Sequence, residues 1–126
     1  MNKKIAKKWV KALRSGKYKQ EREVLHNTTY VMESFCCLGV LCDLYQQDRR
    51  SKKKKMLDVE NKWSHVTYDG ADTYLPDAVR EWAGMKTNHG SWDNNKVDLN
   101  LVYLNDEKRN SFKTIASVIE KNVENL

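Results

Sequence analysis

The segment FCCLGVLCDLY, from Phe35 to Tyr45, limits what this chain can fold into more than any other segment. Its apolar residues recur at the spacing that places side chains on one face of an α-helix, and they are Cys37, Leu38, Leu41, Leu44 and Tyr45. Ser34 can cap this helix. A glycine inside a helix costs about 1 kcal/mol relative to alanine, so Gly39 predicts that another backbone or a ligand approaches closely. We expect a buried central helix.

Three further helices are predicted from the spacing of apolar residues and from residues typical of helix ends. Ile5, Trp9 and Leu13 recur every four residues, and Gly16 follows as a stop. A short helix around Leu75 to Ala83 has Pro76 at its first position and Gly84 after its end. The last helix carries the clearest apolar stripe, with Ser111 or Asn110 as its cap, and the stripe is Phe112, Ile115, Ala116, Ile119 and Val123.

Strands are predicted between these helices. Residues 17–33 indicate a β-hairpin, and Lys62 to Tyr68 alternates as a strand before the Asp69-Gly70 turn. Leu99 to Leu104 indicates a short strand or an extended approach to the last helix, with Asn105-Asp106 as a turn. The prediction is therefore an α+β fold with three to four helices packed on a small antiparallel sheet.

The size and composition predict one compact domain over residues 1–126. With 126 residues, 40% hydrophobic content, four Trp and six Tyr, the chain can bury a core. We expect a basic mobile loop around residues 48–56 and a polar loop around 86–98. No apolar run resembles a secretory signal or a membrane span, which predicts a cytoplasmic protein with no membrane partner.

Three cysteines close together offer a nucleophile but no disulfide framework or zinc site. Cys36 or Cys37 at a helix N-terminus, with His65 or His89 as the base, is the pattern of a cysteine hydrolase. The alternative is that the thiols pack as small apolar side chains, and we rank it higher. No metal and no cofactor are predicted.

The positive charge is local. The net charge is +6, with nine Lys/Arg against one acid in residues 1–22 and six against one in residues 48–55. Such asymmetry indicates an anionic partner or a solvated surface. If the partner is nucleic acid, the candidate phosphate-binding residues are Lys4, Lys7, Lys8, Lys11, Lys53 and Lys54.

Four segments in this order resemble a family of small uncharacterised proteins from tailed bacteriophages and prophages. The segments are KALRSGKYKQ, FCCLGVLCDLY, LPDAVREWAG and YLNDEKRNSFKTIASVIE. The resemblance covers most of the chain and carries no catalytic signature. It implies a phage accessory protein that acts in the cytoplasm of the bacterial host.

A set of polar and aromatic residues emphasised by this resemblance predicts a ligand site. Cations that meet phosphate, aromatics that stack and amides that read base edges form nucleotide pockets. The candidate residues are Lys17, Tyr18, Gln20, Arg22, Trp82, Asn105 and Asp106. Each of them also has a structural interpretation, as a hairpin-edge, turn or capping residue.

Four functional hypotheses follow. The first is a non-enzymatic counter-defence protein that sequesters a small anionic nucleotide signal. The second is a nucleic-acid-binding accessory protein that uses the basic first helix. A protein–protein inhibitor of a host enzyme and the cysteine hydrolase are further alternatives, and a homo-oligomer is compatible with all four.

Overall fold

Five helices and two short hairpins alternate along the chain, and the predicted α+β class is confirmed. The computed structural model describes residues 1–126. In chain order the elements are α1 (Lys3–Arg14), β1 (His26–Thr28), β2 (Glu33–Phe35), α2 (Cys37–Ser51), β3 (Val59–Lys62), β4 (His65–Tyr68), α3 (Asp77–Ala83), α4 (Leu101–Asp106) and α5 (Phe112–Asn122).

Helix α2 lies at the centre of the core, as its apolar stripe predicts. It contacts α1, α3, α4 and β2, and its residues from Cys37 to Cys42 are all buried. The indole Nε1 of Trp9 donates a hydrogen bond to the carbonyl oxygen of Cys37 at 2.9 Å, which joins α1 to the first turn of α2. The predicted cap is wrong, because Cys36 caps α2 while Ser34 lies in β2.

The close approach predicted at Gly39 is made by backbone. A Cβ atom on Gly39 would lie 1.7 Å from the carbonyl oxygen of Leu25. That same oxygen accepts a hydrogen bond from the backbone N–H of Cys36 at 3.1 Å. The N-terminal turn of α2 therefore packs directly on the chain segment that leads into β1.

Helices α1 and α5 pack against each other and bury their apolar stripes. The buried residues are Ala6, Trp9, Val10 and Leu13 of α1 and Phe112, Ile115, Ala116 and Ile119 of α5. The side chain of Ser111 accepts a hydrogen bond from the backbone N–H of Thr114, so one of the two predicted caps for α5 is confirmed. None of the five helices has both the length and the apolar content needed to cross a membrane.

The strands differ from their predicted boundaries. The strands β1 and β2 pair from His26 opposite Phe35, and β3 and β4 pair from Lys62 opposite His65. The predicted strand over residues 62–68 is therefore the last residue of β3, the turn and the whole of β4. Within the predicted hairpin 17–33 only residues 26–33 belong to the observed hairpin, which continues to Phe35, while Gln20 bridges Phe35 in parallel.

Three other predictions are corrected near helix ends. The strand predicted at Leu99 to Leu104 is wrong, because Asn100 caps a helix there and its side chain accepts from the N–H of Tyr103 at 2.8 Å. Asn105 and Asp106 close that helix instead of forming a turn. Pro76 is the cap of α3 and not its first residue.

The two predicted loops are only partly irregular. Residues 48–51 of the basic segment belong to α2, and residues 52–55 follow it as turn and coil. Residues 86–98 contain no helix or strand, although Gly90 and Ser91 within them are buried. The second loop is therefore packed on the core at its middle.

The contact at Gly39 predicts a large effect of one added methyl group. We expect Gly39→Ala to lower the free energy of unfolding by about 3 kcal/mol, because backbone atoms cannot move aside as a flexible side chain can. Gly16→Ala is the control, since nothing lies near its Cβ position and only its φ of +74° opposes the change, at about 1 kcal/mol. Urea unfolding measures both, and equal losses would contradict the steric explanation.

Candidate functional site

Three residues of the predicted nucleotide site converge around one buried side chain. Asn105 is 1% exposed, and its Oδ1 accepts a hydrogen bond from Nε2 of Gln20 at 2.9 Å. Its Nδ2 donates to Oδ1 of Asp106 at 2.7 Å. Three of the seven candidate residues thus lie together in space.

The polar atoms of this cluster form their hydrogen bonds within the protein. Oδ1 of Asn105 also accepts from the backbone N–H of Cys37 at 3.3 Å, and Nδ2 also donates to the carbonyl oxygen of Glu21 at 2.8 Å. Nε2 of Gln20 has a second acceptor in the carbonyl oxygen of Asn110 at 2.8 Å. Asn105 therefore ties α4 to α2 and to the segment before β1, and the structural interpretation accounts for its contacts.

The remaining residues of the predicted set lie in separate surroundings. The Tyr18 hydroxyl donates to Asp43, and burial and this carboxylate raise the pKa of Tyr18. Trp82 packs edge-on against Tyr45, with ring centroids 5.3 Å apart. Lys17 is exposed, and Nε of Arg22 is buried without a hydrogen-bond partner. The structure therefore gathers Gln20, Asn105 and Asp106 but not the full set.

A small cavity beside Asp106 has the wrong charge for an anionic nucleotide. Its volume is about 200 Å³, and its lining residues include Tyr74, Asn100, Asp106 and Glu107. Two carboxylates against one half-buried imidazole, that of His89, repel phosphate at neutral pH. Nucleotide binding by this set stays a prediction that no contact in the structure supports.

The three thiols are placed for packing. All three cysteines are free and buried. Cys36 accepts a hydrogen bond from the N–H of Gly39 at the start of α2, yet burial raises the pKa of its thiol to about 12. Burial also raises the pKa of Cys37 and of Cys42 well above the usual value. A protonated, enclosed thiol is a poor nucleophile, which argues against a cysteine hydrolase.

A buried histidine that the sequence analysis did not select lies between the two hairpins. His26 stacks on Phe35 with ring centroids 4.1 Å apart, and its Nδ1 lies 2.8 Å from the hydroxyl of Tyr68. Its Nε2 lies 3.2 Å from a carboxylate oxygen of Glu33. Burial lowers the pKa of His26 although Glu33 opposes this effect. The cluster joins residues of two separate sheets, so only the packing of one hairpin against the other reveals it.

The lysines of α1 form a continuous exposed surface, which we call the α1 basic face. It consists of Lys3, Lys4, Lys7, Lys8, Lys11 and Arg14, with no acidic residue in the helix. These positions lie on the side opposite Trp9. Lys3 pairs with Glu124 at 3.4 Å and Arg14 pairs with Glu120 at 2.9 Å. The other four lysines of this surface form no salt bridge; they are Lys4, Lys7, Lys8 and Lys11.

A groove runs along one side of the α1 basic face, between α1 and α5. Its volume is about 880 Å³, and Ala6, Val10 and Val123 form its apolar floor. Lys7, Lys11 and Lys121 are among the residues at its rim. Cations therefore line this groove together with Glu120 and Glu124, two acids that already have cationic partners.

The C-terminal end of α2 extends the same positive surface. A hydrogen bond from Lys52 lowers the pKa of Asp48, and the positive charges of Arg49 and Lys8 lower it further. The α1 basic face and the basic segment after Asp48 are thus close enough to act on one carboxylate. Residues 49–55 carry six cations and no acid, and among them Lys53 and Lys54 are exposed and form no salt bridge.

No group of three or more His, Cys, Asp or Glu side chains is arranged to hold a metal ion. The acidic residues near the α1 basic face are Asp48, Glu120 and Glu124, and each already has a lysine or arginine partner. The site that the geometry presents most clearly is the cationic surface of α1.

The Asn105 network predicts a loss of stability when it is removed. We expect Asn105→Ala to lower the free energy of unfolding by roughly 2 to 3 kcal/mol, because it leaves buried backbone groups without partners. Asn95→Ala, at an exposed loop position, is the control and should cost little. Chemical denaturation measures both, and an unchanged stability in Asn105→Ala would show that these bonds are not structural.

The lowered pKa of His26 predicts a pH dependence of stability. The folded protein favours the neutral form of His26. Its contribution to stability is therefore fully present above the pKa of the unfolded state, about 6.5, and is lost as the pH falls through the lower pKa of the folded state. His26→Phe should reduce the difference in unfolding free energy between about pH 7.5 and pH 5.5. Asn95→Ala, at an exposed and uncharged position, is the control and should keep the wild-type difference; an identical pH profile in His26→Phe would refute the assignment.

No curated protein and no solved structure matches this chain. One family model, described as a domain of unknown function (DUF8296), matches residues 1–123. Because this match spans nearly the whole chain, the protein belongs to the DUF8296 family.

Proposed function

We propose that this protein binds nucleic acid through the α1 basic face, as a phage accessory protein in the cytoplasm of a bacterial host. The observation that carries the proposal is a helix with six cations and no acid, of which Lys4, Lys7, Lys8 and Lys11 are free of salt bridges. Lysines without internal partners are available to neutralise phosphates. The phage setting rests on the resemblance of the four sequence segments.

The surrounding charge supports this partner. The basic segment 49–55 adds six cations directly after Asp48, the carboxylate on which Lys8 also acts, so we expect a phosphate chain that crosses α1 at Lys8 to meet a second positive surface. The protein has a net charge of +6, which favours encounter with a polyanion at low salt. A lysine-rich surface holds phosphates as point charges and reads no base edge, so we expect binding that is largely independent of sequence.

The strength of binding should fall steeply with salt. If Lys4, Lys7, Lys8 and Lys11 each neutralise one phosphate, affinity for duplex DNA falls roughly 100-fold between 50 and 200 mM salt. Fluorescence anisotropy with a labelled duplex over this range measures the slope. An affinity that does not change with salt would contradict phosphate binding.

A charge-matched pair of variants tests the location. Replacing Lys4, Lys7, Lys8 and Lys11 by Gln should abolish most of the salt-dependent binding, because these side chains carry the proposed contacts. The control replaces four other exposed lysines by Gln and so changes the net charge equally; they are Lys86, Lys96, Lys108 and Lys113. If both variants lose affinity to the same extent, net charge and not the α1 basic face explains the binding.

Nucleotide sequestration, inhibition of a host enzyme and cysteine hydrolysis stay hypotheses from the sequence. Calorimetric titration with cyclic and ADP-ribose-type nucleotides separates the first from nucleic-acid binding. Tight binding of such a nucleotide that survives replacement of the four α1 lysines would favour sequestration and would count against our proposal.

A further inference from the structure

The tip of the second hairpin carries a fully exposed tryptophan. Trp63 is 99% exposed, and with Ser64 it forms the two-residue loop between Lys62 of β3 and His65 of β4. Of the four tryptophans only Trp63 is fully exposed, because Trp9 is buried and Trp82 and Trp92 are half-buried. Its indole buries almost no apolar area within the protein.

The backbone at Trp63 makes this residue more unusual. Its φ is +57°, while Ser64 has no positive φ, which is the pattern of a type II′ turn. The first position of that turn usually carries glycine, because a side chain there crowds the backbone. A bulky aromatic therefore costs conformational free energy and gains no packing in return. Folding gives no reason for an indole at this position, whereas strain of this kind is common at binding sites.

The hairpin is held beside the basic segment. The side chain of Gln46 in α2 accepts from the N–H of Leu57 at 2.8 Å and donates to its carbonyl oxygen at 3.3 Å. At the base of the hairpin, the N–H of Asp58 donates to Oδ1 of Asp69 at 2.7 Å. These bonds fix the segment before β3 against the C-terminal half of α2, and the lysines of residues 52–55 lie between the two bonded points in the sequence.

The spacing allows one strand of nucleic acid to meet both features. Trp63 follows Lys55 by eight residues, so the two lie no more than about 29 Å apart even if the chain between them is fully extended. All four residues of β3 are exposed, and Lys62 next to Trp63 pairs with Glu60 at 2.8 Å, so the nearest cations in the sequence without a salt bridge are Lys53, Lys54 and Lys55. Exposed cations and an exposed aromatic within reach of one strand are the combination that binds single-stranded nucleic acid, in which phosphates meet cations and bases stack on aromatic rings.

We propose that Trp63 stacks on an unpaired base of a single-stranded nucleic acid whose phosphates lie along the basic segment 49–55. The inference rests on the proposed function and adds to it the class of nucleic acid. A duplex hides its base faces between neighbouring base pairs, whereas a single strand offers them to an indole. The protein should therefore bind single strands more tightly than duplexes of equal length, and Trp63 should supply the difference.

The test compares Trp63→Ala and Trp63→Gly with the wild type, using a labelled oligothymidylate and a duplex of the same length. Both variants should bind the oligothymidylate about 10-fold more weakly and the duplex with little change. Trp63→Gly should have a thermal midpoint at least as high as the wild type, because glycine accepts the positive φ. Loss of binding without loss of stability would separate a ligand contact from a structural role.

Tyr30 provides a matched control, since it is an exposed aromatic at the tip of the other hairpin. Tyr30→Ala should leave both affinities unchanged.

If Trp63→Ala and Trp63→Gly keep wild-type affinity for the single strand while the four-lysine variant loses it, the inference fails and the proposed function stands. If the wild type binds neither nucleic acid, both fail. Light scattering gives a third outcome, because dissociation of a dimer in Trp63→Ala with unchanged affinities would assign the indole to self-association.

Discussion

The contact between the backbone of α2 at Gly39 and the backbone at Leu25 determines how the rest of this fold is arranged. It leaves no room for a side chain, so the first turn of α2 lies directly on the segment that enters β1. The same turn receives the indole of Trp9 from α1 and the side chain of Asn105 from α4. Three elements distant in sequence are thus positioned by a short stretch of one helix. A displacement of α2 at this point would disturb all of them together.

Helices with long apolar stripes could be predicted from the sequence, whereas short elements could not. The stripes of α1, α2 and α5 extend over three or four turns, so periodicity alone identifies them. The short helix α4 has six residues and no such stripe, and it depends on the Asn100 cap and on burial of Leu101. The strands have three or four residues each, and their pairing is set by contacts with distant segments.

The candidate sites show a similar division. The cationic character of α1 is visible in the sequence because solvent-facing lysines need no partner to be recognised. The grouping of Gln20 with Asn105 was also predicted, through the resemblance. What no local pattern indicates is whether an amide is free for a ligand or engaged within the protein. Asn105 differs from any surface asparagine only through the three groups that tertiary folding brings to it.

The pairing of α1 with α5 has a consequence for how the protein is made. The two helices share the largest interface between elements, yet almost the whole chain separates them. During synthesis the apolar stripe of α1 leaves the ribosome long before its partner exists. Such a non-local contact must wait for the last part of the chain, and it slows folding. In the interval the lysines beside the stripe keep the nascent helix charged, which discourages aggregation of its uncovered apolar side.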